Sequence, residues 1–146
     1  MQEKIKIPPD YKPSEGEKYM SPKQIQYFVQ KLLDWKEELL NNSRDTLDHL
    51  KEENWNEPDL NDRATIETDT GIELRTRDRY RKLIDKIDEA LKRIEQGEYG
   101  YCEDTGEEIG IKRLEARPIA TLCIAAQERH ENYEKQHLDF DDEDRN

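Results

Sequence analysis

Apolar residues recur at alternating three- and four-residue spacing over two long stretches of this chain, and no other feature restricts its fold as strongly. In the first stretch the recurrence runs Ile25, Phe28, Leu32, Trp35 and Leu39. Such spacing leaves one narrow apolar stripe on an α-helix, the seam along which coiled coils pair. The same frame continues through Asn42, Thr46 and His49, so the seam turns polar toward its far end. Read backward from Gly97, a second stripe comprises Ile94, Leu91, Ile87, Ile84 and Tyr80. It continues in polar form through Arg77, Glu73 and Thr70 and closes on Ile66.

Both helices carry boundary signals. Ser21 suits the N-cap, Pro22 the first helical position, and Gln24 completes a capping box that Met20 and Ile25 brace as a hydrophobic staple. The first helix is expected to stop near Asn54, because Trp55-Asn56-Glu57 leads into Pro58 and a residue before proline avoids helical geometry. The second is expected to take Asp62 as its cap and to run to Gln96, with Gly97 as its stop. Segments 22–54 and 63–96 are nearly equal, each roughly 50 Å long at the helical rise. Equal arms joined by a short turn predict an antiparallel coiled-coil hairpin over 21–96, with its tip at 55–64. Gly71 is a soft spot in the second arm, costing about 1 kcal/mol against alanine.

Composition agrees with one narrow buried seam. Hydrophobic residues are 32% of the 146 and charged residues 41%, too polar a balance for a large compact core. A net charge of −12 argues against gripping nucleic acid through its phosphates. No apolar run reaches membrane-spanning length, and the charged, proline-bearing start is unlike a signal peptide. Two cysteines without a secretory signal point to the reducing cytoplasm. Residues 1–20, with Pro8, Pro9, Pro13 and Gly16, read as an irregular lead-in that packs in part on the body. Residues 138–146 read as an acidic tail without order.

Between these lies a module expected over 97–137, mainly turns with one short β-hairpin and a last helix from about Ala120 to Gln136. Both cysteines fall in it. Cys102 is followed three positions on by Thr105, and Cys123 by Ala126, giving Cys-x2-Thr-x17-Cys-x2-Ala. Zinc knuckles present thiolates as Cys-x2-Cys pairs, so this frame lacks its second and fourth ligands. Thr105 and Ala126 cannot replace them, and two thiolates hold zinc far more weakly than four. His130 and His137 lie past Cys123 on the last helix, away from the ligand positions. The module is therefore expected to be held by Ile109, Ile111, Leu114, Leu122 and Ile124. Of the charged residues nearby, only Arg117 and Lys112 are expected to be able to lower a thiol pKa.

That frame, with Gly100-Tyr-Cys102 before it and Ile109-Gly-Ile-Lys-Arg-Leu-Glu-Ala-Arg-Pro118 inside it, closely resembles the DksA/TraR family of bacterial RNA polymerase-binding transcription factors. The resemblance extends from about Met20 to Gln136, and this chain looks like a cysteine-poor variant with a degenerate zinc-finger motif. It implies a mainly α fold, with a long hairpin and a zinc-finger-like module. The hairpin would enter the polymerase secondary channel and act near the active site through its tip. By residue type alone Asp62 is explained as a helix cap and Asp59 as a turn residue. The resemblance instead assigns the tip role to Asp59, Asp62 and Ala64, from the pattern Asp-x2-Asp-x-Ala. It implies a polymerase contact at Arg79, within the basic run Arg75-Thr-Arg77-Asp-Arg79-Tyr-Arg81-Lys82. It further implies that the nucleotide ppGpp binds at the polymerase interface beside Leu83, Lys86 and Arg117. A family lysine is Gln127 here, so one cation of that site is missing.

The expectation is a non-enzymatic monomer that binds RNA polymerase, responds to ppGpp, recognises no promoter sequence and touches no membrane. No cofactor is expected, zinc included, and the metal positions survive only as Cys102 and Cys123. No glycine-rich phosphate loop, nucleophile–histidine pattern or facing carboxylate pair suggests catalysis. The alternatives are a secondary-channel competitor with little ppGpp response, a DNA-binding zinc-finger protein, and a purely structural coiled coil.

Overall fold

A computed structural model of the chain describes residues 7–55 and 60–144, with side chains at 7–45, 48 and 68–138. It contains four helices in the order α1 (Pro22–Trp55), α2 (Leu60–Glu95), α3 (Ile111–Ala116) and α4 (Ile124–Asp144). The chain divides into two compact units: residues 29–92, and residues 1–28 together with 93–146.

The first unit is the body of the hairpin. Lys36 meets Asp88 at 2.7 Å, while Leu40 shares a recess with Ile84, so positions ascend along α1 as they descend along α2. The arms are therefore antiparallel. Leu32, Leu39, Ile87 and Ala90 are buried between them. Ala90 lies outside the large-residue frame read from the sequence, and Leu91 beside it is only half-buried. Beyond Leu39 the stripe moves by one position: Asn42 is exposed and Ser43 half-buried. A helix turns 3.6 residues at a time, and without apolar residues to pin the frame it drifts. Thr46, His49 and Ile66 have side chains outside the described residues.

α1 begins as its sequence dictates. The N–H of Gln24 donates to Ser21 Oγ at 3.3 Å, and Gln24 Oε1 accepts the Met20 N–H at 2.8 Å. Gln24 is fully buried because it also gathers the lead-in: its Nε2 donates to the Ser14 carbonyl and to Glu17 Oε2. The expected start of α2 is corrected. The helix begins at Leu60, so Asp62 is its third residue and not its cap. At the other end Gly97, at φ 73°, closes α2 with bonds from Gly97 N–H to the Ile94 carbonyl and Glu98 N–H to the Arg93 carbonyl. That pair is a Schellman cap, which needs the left-handed residue glycine provides.

The second unit departs from expectation in three places. The β-hairpin reduces to one antiparallel bridge, Tyr101 with Glu108, framed by bonds from Cys102 N–H to Glu107 O and from Ile109 N–H to Gly100 O. Gly100 (φ 88°) and Gly110 (φ 101°) bend the chain out of the extended region on either side, which prevents a longer ladder. Ile111, expected beside the hairpin, opens the short helix α3. Finally, α4 starts at Ile124 and continues to Asp144, through most of the segment expected to lack order. Cys123 and Ala126 turn inward, leaving Ile124 exposed, so it does not join Ile109, Ile111 and Leu114 in the core. Among the described residues no helix is long and apolar enough to cross a membrane.

Candidate functional site

The two cysteines are brought together by backbone. Cys102 opens a tight turn in which the Gly106 N–H donates to its carbonyl at 2.9 Å. Glu103 N–H donates to the Thr121 carbonyl (2.9 Å) and Arg113 Nε to the Leu122 carbonyl (2.9 Å), which draws the second cysteine segment against that turn. Cys123 immediately precedes α4, its carbonyl accepting the Gln127 N–H at 2.9 Å. Both cysteines are free thiols and both are buried.

The sulfur of Cys102 collects donors. Burial alone would push its thiol up. The Thr105 hydroxyl and the N–H groups of Cys123, Thr105 and Asp104 donate to it and together lower its pKa from 9.0 to about 6. The Thr105 oxygen also accepts the Glu107 N–H at 3.2 Å. Arg117 and Lys112, singled out from the sequence as the nearby cations, are not the cause. These donors were missed because three of the four are backbone groups, which no residue pattern displays.

A structural zinc ion requires four protein donors. Here the second position holds a hydroxyl committed to Cys102 and Glu107, and the fourth holds the buried methyl of Ala126. His130 points to the turn, but its Nε2 lies 2.6 Å from Asp104 Oδ2 and not at the thiols. Among the described residues no group of three or more His, Cys, Asp or Glu is arranged to hold an ion. This donor set does not fit zinc.

Several further bonds hold the knuckle together. The Tyr19 hydroxyl donates to the Gly100 carbonyl at 2.6 Å and accepts the Gly110 N–H at 3.0 Å, clasping both ends of the bridge. Tyr99, its hydroxyl pKa pushed up by burial, donates to the Pro118 carbonyl at 2.7 Å and packs on Phe28. Arg93 binds Glu103 and the carbonyls of Glu98 and Tyr101. Nothing in the residue pattern had marked Tyr19 or Arg93.

The hairpin candidates lie on α2. Arg79 is exposed and sits over the Tyr80 ring, its guanidinium carbon 5.8 Å from the centroid. It lines a shallow recess with Ile72, Arg75 and Thr76, four residues of one helix face. Leu83 is half-buried and Lys86 exposed, both in the hairpin unit. Arg117, exposed, ends α3 in the other unit. Gln127 Nε2 donates to Glu131 along α4 at 3.1 Å. Of the tip residues, Asp62 and Ala64 belong to the first turns of α2 with side chains outside the described residues, and Asp59 lies outside them altogether.

Two family models match this chain. The N-terminal domain of the DnaK suppressor protein DksA matches residues 24–94, and the prokaryotic dksA/traR C4-type zinc finger matches residues 97–132. The chain is 62% identical over 130 residues to the RNA polymerase-binding transcription factor DksA of Caulobacter vibrioides, covering 89% of this chain and 92% of that protein. It is 46% identical over 126 residues to the protein of the same name from Escherichia coli K12, covering 86% and 83%. Among solved structures, transcription factor DksA2 from Pseudomonas aeruginosa superposes with a TM-score of 0.75 at 41% identity, covering 80% of this chain and 90% of that one.

Proposed function

The chain belongs to the DksA family, and from that membership we propose that it binds RNA polymerase directly and regulates transcription initiation without recognising promoter DNA. The observation that carries this reading is 62% identity, along nearly the whole chain, to a relative named an RNA polymerase-binding transcription factor. A helical hairpin is a suitable probe for a protein channel, and a net charge of −12 disfavours duplex DNA as its target. The chain acts as a cytoplasmic, non-enzymatic monomer.

In this reading Asp59, Asp62 and Ala64 form the working tip, where a carboxylate perturbs charge and hydrogen bonding near the catalytic magnesium of the polymerase. Arg79 contacts the polymerase from the outward face of α2. The nucleotide ppGpp is the co-regulator, held at the polymerase interface with Leu83, Lys86 and Arg117. Cations that grip a polyphosphate do so through fixed donors. Gln127 supplies no charge and is engaged with Glu131, which favours a second reading in which the ppGpp response is weak. No zinc is required in either.

Transcription in vitro with purified polymerase, with and without ppGpp, tests the assignment. Wild-type chain is expected to alter initiation at ppGpp-sensitive promoters. Asp62→Asn is expected to keep polymerase affinity and lose regulation. Parallel loss of helix content and affinity in Asp62→Asn would make the residue structural. A response to the chain that ppGpp leaves unchanged would establish the second reading.

A further inference from the structure

Pairing of the two arms does not enclose every large apolar residue of the hairpin unit. Leu33 is 45%, Leu40 40% and Leu74 49% exposed. Leu40 and Leu74 share an open recess with Ser43, Ile84, Arg77 and Arg81 along one flank of the hairpin. Leu33 lies one heptad before Leu40, on the same ridge of α1. A two-stranded coiled coil needs apolar residues along its seam alone, whereas an apolar flank beside the seam suits the packing of further helices. We infer that this flank pairs with the same flank of a second copy of the chain, about a twofold axis crossing the recess between Leu40 and Ser43, to form a four-helix bundle.

In a twofold contact every residue pair occurs twice, so the flank must complement itself. The register of the arms meets that condition. Lys36 is level with Asp88, and Leu40 with Ile84. At the common helical rise, α2 residues from Asp85 to Leu74 are then level with α1 positions from about 39 to about 50. Rotation about the stated axis sets Leu33 of one copy opposite Leu74 of the other, Glu37 opposite Arg77, and Arg44 opposite Asp85. Glu37 and Arg44 lie on the Leu33–Leu40 ridge at three- and four-residue spacing, and all four of these charged residues are exposed. Apolar therefore meets apolar, and both charged pairs are of opposite sign. Leu40 comes opposite Arg81, whose charge is already met by Asp78 at 2.9 Å, leaving its aliphatic stem to cover the leucine. Ser43, beside the axis, is small enough to let the helices approach. A net charge of −12 on each copy opposes the pairing, but charges separated by more than about 8 Å are largely screened at physiological ionic strength. Local complementarity then forms the pair, and the overall repulsion keeps it reversible. If the hairpin is what enters polymerase, the pair is the resting form and the monomer the acting one. The pairing itself does not rest on that reading.

Sedimentation equilibrium of the full chain, reduced and without polymerase, reads mass independently of shape. The average mass is expected to rise with concentration from 17.5 kDa toward twice that value and to go no further. Position 40 is exposed in the single copy, so Leu40→Lys is expected to keep its helix content by circular dichroism and to hold the mass at one copy. Glu37→Arg and Arg77→Glu each set like charges opposite one another and are expected to raise the dissociation constant roughly tenfold or more. The two changes in one chain reverse the pair without breaking it and are expected to restore the wild-type constant. A one-copy mass at every concentration, assembly beyond two copies, or a double charge variant no tighter than its single parents would each overturn the pairing.

Discussion

The Thr105 hydroxyl and the N–H groups of Cys123, Thr105 and Asp104 converge on the sulfur of Cys102 and favour its thiolate. A folded pKa near 6, below the ordinary 9.0, carries a definite sign. The stability contributed by the thiolate is fully present above the pKa of the unfolded thiol and is lost as pH falls through about 6. Replacing Thr105 with valine removes the side-chain donor. The midpoint of thiolate ultraviolet absorbance should then rise, and the wild-type advantage in urea denaturation should shrink toward acid pH. An unchanged midpoint would mean that the backbone N–H groups alone hold the thiolate. Tyr19 carries a comparable share of the local structure. Tyr19→Phe strands the Gly110 N–H and leaves the Gly100 carbonyl with the Ile109 N–H alone, and should cost about 1–3 kcal/mol in denaturant melts. Tyr19 does not stand out in the sequence, because its partners are backbone groups more than eighty residues away; Thr105 stands out there only as a lost ligand position, not as a donor to Cys102.

Helix periodicity made the hairpin legible wherever large apolar residues pin the frame. Phe28, Leu32, Leu39, Ile87 and Ile94 were all read as seam residues and all are buried. Leu32→Ala or Ile87→Ala should each cost about 2–5 kcal/mol in urea unfolding, since both side chains are fully enclosed. Beyond Leu39 the frame was misplaced by one residue at Ser43, and Ala90 was overlooked, because polar and small residues give the pattern nothing to lock on. The knuckle was less legible still. Its bridge and the start of its short helix α3 lie beside positive-φ glycines whose neighbours only the fold supplies. Gly100 and Gly106 separate those effects. Both lie at positive φ, but a Cβ on Gly100 would come within 2.8 Å of the Met20 sulfur, whereas one on Gly106 meets nothing within 4 Å. Gly100→Ala should therefore lower the melting temperature more than Gly106→Ala, and equal losses would remove the Met20 contact as the reason.

For the whole molecule, the run from Gly100 to Pro118 and the cysteine frame made the family legible from the sequence, and periodicity made the hairpin legible. Charge balance did the excluding: 36 acidic residues against 24 basic ones suit a protein partner better than a phosphate backbone. By residue type Asp59 and Asp62 are individually ordinary, and only the Asp-x2-Asp-x-Ala pattern marks them as candidates for a tip role. The central claim is direct binding to RNA polymerase. Equilibrium binding of fluorescently labelled full-length chain to purified core polymerase, with no DNA present and with promoter DNA alone as the parallel arm, tests it most directly. Saturable binding to polymerase, competed by unlabelled chain, with no binding to promoter DNA at the same salt, is the predicted result. Binding to the DNA arm with none to polymerase would contradict it.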